Sequence, residues 1–358
     1  MHPVGDPMGC FFIIRRSDTM IVKMRKAVTK KELDSFKSYL RHKGFELKDV
    51  SSDTVKIFGI IGDTSKLDPA DLRVFEGVEN VIRVQSPFKQ VSRDFKSEDT
   101  IVKINENISI GDGSITMISG PCSVESYDQL KTIATHLKKR GVHVLRGGAY
   151  KPRTSPYTFQ GLGLEGLKLL RKVADDLDMA VISEIPSADL LETFEAYVDI
   201  IQVGARNMQN FHLLKALGRT KTPIMLKRGM ASTIEEWLMS AEYIVSSGNE
   251  NVILCERGIR TFETYTRNTL DLSAVLAVKN LSHLPVIVDP SHAAGRYNMV
   301  AKLSRASLGV DSDGLMVEVH HKPEEALSDG AQSLKLDTFD DMMEDLHAMA
   351  KALGRSLS

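Results

Sequence analysis

Residues 223–256 read "PIMLKRGMASTIEEWLMSAEYIVSSGNENVILCE". A short apolar run ends on Lys227 and Arg228. A segment of helical spacing follows, and a second apolar run ends on Cys255 and Glu256. Apolar runs of this length, without polar alternation, fit strands buried on both faces, and the helical crossover makes neighbouring strands parallel. The same unit recurs along the chain. Its strands are "ITMISG", "VHVLRG", "MAVISE", "DIIQVG", "PIMLKR", "NVILCE", "PVIVDP" and "LMVEVH", with helical segments such as "YDQLKTIATHLKKRG" and a final "DTFDDMMEDLHAMAKALG". Eight such units in roughly 250 residues predict an α/β fold of the (β/α)8 barrel type. A doubly wound open sheet is the alternative. That fold usually carries a Gly-rich phosphate fingerprint after its first strand, and "SGPCSVES" lacks the spacing.

The chain has 358 residues, enough for this barrel and one small domain. Residues 1–19 are a poorly patterned leader with no assigned function. Residues 20–87 read as a separate α/β unit. "MIVKMRKA" alternates as a strand does. Thr29 caps a helix carrying Leu33, Phe36 and Leu40, which stops at Gly44. "FELKDVS" and "TVKIFGIIG" follow as strands about a Ser-Ser-Asp turn. "DPADLRVFEGVEN" is a helix with Pro69 in its first turn, and "VIRVQSPF" is a last strand. The order βαββαβ is that of a ferredoxin-like sandwich. It serves either as a packing and oligomer domain or as a regulatory ligand module. Residues 88–100, of mixed charge, read as a linker, and 101–358 as the barrel with an N-terminal hairpin at 101–113.

A net charge of −1 excludes a general nucleic-acid binder. The apolar run "CFFII" at 10–14 is too short for a membrane span. Cys10, Cys122 and Cys255 are odd in number and far apart, so they form no disulfide framework and point to a reducing, cytoplasmic setting. Cys255 reads as a buried barrel residue, with a redox link to Cys122 as the other reading.

Active sites of such barrels lie where the strands end. Those ends carry Cys122, Arg146, Glu184, Arg206, Lys227 with Arg228, Glu256 with Arg257, Asp289 with His292, and Glu318 with Asp329 in the loop beyond. Taken singly, each fits a solvated loop residue; their accumulation at one rim does not. The cations Arg146, Lys151, Arg153, Arg206, Lys227 and Arg257 suit phosphate and carboxylate oxygens, and they exceed the needs of one phosphate. Cys122, His292, Glu318 and Asp329 could hold a divalent metal ion such as Mn, Fe, Co or Zn. No local spacing motif ties these four together. Cys122 equally fits a small core residue, and His292 a hydrogen-bonded strand-end residue.

At these residues a resemblance enters. "GPCSVES", "LRGGAYKPRTSPYTFQGLG", "IIQVGARNMQNF", "LKRGM", "ILCERGIRTF", "VDPSHAAG" and "VEVHHKPEEALSDG" follow one another as they do in type I 3-deoxy-D-arabino-heptulosonate 7-phosphate (DAHP) synthases. The branch is that related to 3-deoxy-D-manno-octulosonate 8-phosphate (KDO8P) synthases, and residues 20–87 resemble the ferredoxin-like regulatory domain that some of its members carry. The resemblance implies condensation of phosphoenolpyruvate with erythrose 4-phosphate, the first step of aromatic amino acid biosynthesis. It implies that Arg146, Lys151 and Lys227 face the phosphoenolpyruvate carboxylate and reacting centre. Arg206 and Arg257 would hold its phosphate, aided by backbone near Glu184 and Ala205. Arg153, Thr154 and Ser155 would grip the aldose phosphate. Cys122, His292, Glu318 and Asp329 match the family's metal ligands, and Lys151, Cys122 and His292 its catalytic centre. It further implies inhibition by phenylalanine or tyrosine at the N-terminal domain of a homotetramer. Two rivals stand beside this reading. One is a KDO8P synthase using arabinose 5-phosphate, whose loop after the second strand resembles "ANRSS" where this chain has "KPRTS". The other is a Schiff-base aldolase with Lys227 as nucleophile.

Overall fold

A computed structural model gives the structure, which describes residues 19–51, 56–62, 64, 67–84, 87–151 and 157–357. The leader, apart from Thr19, lies outside the described residues. So does the Ser-Ser-Asp turn beyond Ser51. Two compact units divide at residues 89 and 90.

The first unit runs β1 (Thr19–Met24), α1 (Lys30–His42), β2 (Glu46–Asp49), β3 (Ile57–Ile61), α2 (Pro69–Arg73) and β4 (Val78–Val84). Its antiparallel sheet has the order β2-β3-β1-β4, the ferredoxin-like arrangement. Thr29 and Glu32 form a reciprocal capping box at the start of α1, and Gly44, at φ 82°, follows its end. Phe36, Leu40 and Leu72 are buried with Met20, Val22 and Ile60 of the sheet. The second helix is shorter than the pattern predicts. It ends at Arg73, and Val78–Asn80, read as helical, open β4 instead. The turn between them needs Gly77, where an added Cβ would stand 2.6 Å from the Val28 side chain.

The second unit opens on a segment that the sequence marks as linker. Its composition is linker-like, yet residues 90–100 are bonded to the barrel. Arg93 N donates to Leu281 O at 2.9 Å and Thr100 N to His283 O at 2.8 Å, while Val91 and Phe95 are buried. A hairpin of β5 (Val102–Lys103) and β6 (Ser109–Ile110) comes next. The eight barrel strands are β7 (Thr116–Gly120), β8 (Val144–Arg146), β9 (Ala180–Glu184), β10 (Ile200–Val203), β11 (Ile224–Lys227), β12 (Val252–Glu256), β13 (Val286–Val288) and β14 (Gly314–Glu318). Each pairs in parallel with the next, and β14 pairs with β7 from Gly314↔Thr116 to Glu318↔Gly120. That closure excludes the open sheet. The helices are α3 (Tyr127–Lys139), α4 (Leu164–Asp175), α5 (Leu191–Tyr197), α6 (Phe211–Leu217), α7 (Ile234–Ser246), α8 (Leu272–Leu281), α9 (Pro290–Ala294), α10 (Tyr297–Leu308) and α11 (Leu336–Ala352).

Ile118, Val144, Ile182, Met225, Ile253, Ile287 and Met316 fill the barrel, together with Val102 and Ile110 of the hairpin. Thr116, the first residue of β7, donates to Ser109 O at 3.3 Å. The hairpin therefore closes the end where the strands begin, and the opposite end is left for chemistry.

Candidate active site

A cleft of about 390 Å³ opens at the C-terminal ends of the strands. Among its lining residues are Lys151, Glu184, Ala205, Arg206, Lys227, Arg257, His292 and Asp329, all singled out from sequence. Arg260, Arg267, Asn268 and Met230 also line it. Arg153, Thr154 and Ser155 lie outside the described residues.

Behind this surface the strand-end charges are paired. Lys227 Nζ stands 2.5 Å from Asp289 Oδ2, and the same oxygen accepts from His292 Nδ1 at 2.6 Å. Asp289 also caps α9, accepting His292 N at 3.0 Å. Burial alone pushes the Asp289 carboxyl up, but His292 and Lys227 beside it hold it well below the usual carboxylate range. Burial lowers His292 against the pull of Asp289. Arg228, next to Lys227, bridges Glu256 and Asp271, each at 2.9 Å. Burial raises Glu256 in spite of that partner.

Arg146 is buried and is not among the cleft's lining residues. Its NH1 donates to Pro121 O at 3.0 Å and to Glu318 Oε1 at 2.5 Å. Gly120 lets the end of β7 approach the Arg146 backbone closely, because a Cβ there would lie 2.0 Å from Arg146 O. Burial pushes Glu318 up, yet His292 and Arg146 bring it down to about 2. Its other oxygen, Oε2, accepts from Gln332 Nε2 at 2.6 Å.

Lys151 Nζ lies 3.0 Å from Cys122 O and 3.0 Å from Cys122 Sγ. Gly148 makes room for it: a Cβ there would meet Cys122 O at 2.7 Å and Lys151 Cδ at 2.9 Å. Cys122 Sγ is also 3.4 Å from Asp329 Oδ2. Burial and the nearby Glu318 push the Cys122 thiol up to about 11.

Donor atoms of Cys122, Glu318 and Asp329 lie within 4.8 Å of one another. His292, the fourth expected ligand, stands outside that group, with Nε2 3.3 Å from Glu318 Oε1. Its bond to Asp289 assigns the ring proton to Nδ1, so Nε2 turns a lone pair toward a carboxylate oxygen. Two acceptors facing each other beside a buried thiol fit a divalent cation. Thiolate, imidazole and carboxylate together suit a borderline first-row ion. Gln332, Arg267 and the bridging role of Asp289 escape a reading of the sequence. A neutral amide leaves no mark in a charge pattern, and "TRN" in a long loop gives no spacing to read.

Comparison with known proteins gives two family matches. Residues 99–353 match a family described as DAHP synthetase I, and residues 20–86 match one described as the DAHP synthase ferredoxin-like domain. The chain is 52% identical over 298 residues to a phospho-2-dehydro-3-deoxyheptonate aldolase of Thermotoga maritima, covering 83% of this chain and 88% of that protein. The crystal structure of a DAHP synthase from T. maritima superposes with a TM-score of 0.75 at 47% identity, covering 95% of this chain and 99% of that one. A 2-dehydro-3-deoxyphosphooctonate aldolase of Geobacter sulfurreducens is 32% identical over 260 residues, covering 67% of this chain and 93% of that protein. Among the described residues, no helix is long and apolar enough to cross a membrane.

Proposed function

The chain belongs to the DAHP synthetase I family, and from that premise we propose how its cleft performs the family's reaction. The reaction condenses phosphoenolpyruvate with erythrose 4-phosphate and water, giving DAHP and inorganic phosphate. This is the first step of the shikimate route to aromatic amino acids. One observation carries the assignment of residues. Lys151, Arg206, Lys227, Arg257, Arg260 and Arg267 line a single cleft in which, among the described residues, the only lining carboxylates are Glu184 and Asp329. Two phosphates and a carboxylate need that excess of positive charge.

Arg206 and Arg257 hold the phosphoenolpyruvate phosphate, near Glu184 and the backbone of Ala205. Lys227 and Lys151 face its carboxylate and reacting carbons. Arg146 adds positive potential from behind Glu318. Arg153, Thr154 and Ser155 take the aldose phosphate, an assignment supported by the "KPRTS" resemblance. The residues that would hold a divalent ion are Cys122, Glu318 and Asp329, with His292 beside Glu318. When bound, such an ion supplies Lewis-acid polarisation of an aldehyde or water oxygen.

The enol carbon of phosphoenolpyruvate bonds to the aldehyde carbon, and the carbonyl electron pair passes to oxygen, which takes a proton. Lys151 Nζ, 3.0 Å from Cys122 Sγ, is placed to move that proton. Water adds to the adjacent cationic carbon and loses a proton. The phosphorylated hemiketal then collapses to the ketone: its hydroxyl proton passes to the departing phosphate, which leaves with the bonding pair. Arg206 and Arg257 offset the charge growing on it.

Phosphoenolpyruvate consumption with erythrose 4-phosphate against arabinose 5-phosphate, with and without chelator, tests this reading. Turnover is expected with the four-carbon aldose, lost on chelation and restored by a divalent ion. Cys122→Ala should abolish metal-supported turnover with the fold intact. Full activity in the metal-stripped Cys122→Ala enzyme would falsify the metal assignment. A borohydride-trapped adduct on Lys227 would replace it with Schiff-base chemistry, for which Lys227 would have to leave Asp289. The ferredoxin-like unit is the site of phenylalanine or tyrosine inhibition in a homotetramer, a role supported by the match over residues 20–86. If neither amino acid slows the full-length enzyme, that unit is a packing domain. A cytoplasmic location follows from a metal-site thiol that must stay reduced; Cys122 and Cys255 are both free and buried. Burial drives the Cys255 thiol strongly upward, which favours the inert core residue over a redox partner.

A further inference from the structure

We propose that Arg267 and Gln332 form a positioning brace that orients both carboxylates of the metal-binding group and sets how tightly the ion is held. The inference rests on the metal reading above and adds two residues to it.

Gln332 is buried, and both ends of its amide are engaged. Nε2 donates to Glu318 Oε2 at 2.6 Å, and Oε1 accepts from Arg267 NH1 at 3.1 Å. Each end meets the partner it matches. Turned over, the amide would set its NH2 against a guanidinium and its oxygen against a carboxylate. Arg267 therefore fixes which way Gln332 faces, and Gln332 fixes the Oε2 edge of Glu318. The same NH1 lies 3.4 Å from Asp329 Oδ1. Asp329 then presents its other oxygen, Oδ2, to Cys122 Sγ at 3.4 Å.

Backbone geometry ties the brace down. Asp329 and Gln332 share one turn, in which Gln332 N donates to Asp329 O at 3.2 Å. That turn begins with Asp329 at φ 52° and passes through Gly330, where a Cβ would sit 2.1 Å from Pro323 O. Arg267 N donates to Ala294 O at 3.1 Å, and Asn268 Nδ2 donates to His292 O at 3.2 Å. Gly295, at φ 66°, permits the approach, since a Cβ there would meet Arg267 Cβ at 2.7 Å. One arginine thus joins the loops after β12, β13 and β14, which carry or flank His292, Glu318 and Asp329.

Groups that orient metal ligands are typically worth 10- to 100-fold in affinity. Arg267 also brings a positive charge near the ion, which opposes binding. It is half-exposed, and even in water the repulsion of a divalent ion about 6 Å away is worth about tenfold. Orientation exceeds that only above the lower end of its range. Removing neutral Gln332 brings no such relief, so its loss should cost more than that of Arg267.

The test uses the full-length chain stripped of metal and titrated with Co2+, read by the thiolate-to-cobalt absorption. Gln332→Ala is expected to weaken Co2+ binding by about 10- to 100-fold and Arg267→Ala by no more than about tenfold. Arg267→Lys should recover part of the loss. Metal-free melting temperatures check that each variant is folded, and Arg267→Lys serves if an alanine variant is not. Binding within twofold of wild type in both alanine variants overturns the brace. If Cys122→Ala, which has no thiolate band and is titrated by calorimetry beside wild type, binds Co2+ as tightly as wild type, the metal reading itself fails, and the brace with it.

Discussion

Asp289→Asn isolates one charge at the centre of the site. Asn has the same shape and is as good an N-cap, so the bond to His292 N at 3.0 Å is kept. What goes is the charge that Oδ2 presents to Lys227 at 2.5 Å and to His292 Nδ1 at 2.6 Å. With the amide oxygen held by the cap, the NH2 stands where Oδ2 was and accepts from neither, so both charge-assisted hydrogen bonds are lost, about 1.5–3 kcal/mol each. Lys227, only 3% exposed, is then left without this anion. Breaking a buried pair from one side costs about 3–5 kcal/mol. The NH2 regains one bond by donating to His292 Nδ1 once the ring proton has moved, and Lys227 is left without an acceptor, which places the expected loss at about 3–5 kcal/mol. Urea unfolding followed by Trp237 fluorescence measures it. This is the chain's single tryptophan, fully buried in α7 and bonded to Leu226 O at 3.1 Å, so it reports the barrel. The substitution has a second consequence. An Asn NH2 turned to His292 moves the ring proton to Nε2, the nitrogen facing Glu318. Divalent-ion affinity is then expected to fall about 10- to 100-fold. A variant within about 1 kcal/mol of wild-type stability, with unchanged metal affinity, would show that the charge of Asp289 organises neither Lys227 nor His292.

Two further outcomes follow from single positions. Gly148→Ala puts a methyl group 2.7 Å from Cys122 O and 2.9 Å from Lys151 Cδ. Turnover is expected to fall at least about tenfold, with a stability loss of about 1–3 kcal/mol, read by steady-state kinetics beside urea unfolding. His283, which ties residues 90–100 to the barrel through Gln90 O at 2.8 Å and Thr100 Oγ1 at 2.7 Å, is lowered by burial to about 4. The unfolded chain binds that proton near pH 6.5, so the contribution is fully present above that pH and is lost as pH falls toward 4. The loss is about 3 kcal/mol. His283→Gln should flatten stability between pH 4 and 6.5, and an unchanged slope would refute the assignment.

The barrel is legible because its strands are buried on both faces, so each appears as an apolar run closed by a charge, and "NVILCE" maps onto β12 with its first residue trimmed. Closure is less legible, since open and closed parallel sheets share that pattern and only the pairing of β14 with β7 separates them. Residues 90–100 mislead for a related reason. Their composition is that of a linker, while the bonds from Arg93 N and Thr100 N go to Leu281 and His283, far away in sequence.

The site poses a subtler problem, because a sequence reports charges but not their partners. Counted along the strand ends, Arg146, Lys227 and Arg257 look equivalent. In the structure Arg146 is bound to Glu318, Lys227 is shared between Asp289 and the cleft, and Arg257 lines the cleft. Arg228, adjacent to Lys227, faces the other way and is held by Glu256 and Asp271. The cations that line the cleft therefore come from the loops as much as from the strands. Lys151, Arg206, Arg260 and Arg267 are among them. The buried pairs have a different task. By keeping the buried Glu318 ionised, His292 and Arg146 keep an anionic donor beside Cys122 in a cleft whose charged lining residues are mostly cations. Such a cleft repels a metal ion unless carboxylates stay charged at its floor, so the cations proposed for the substrates and the anions proposed for the metal have to be built as one network.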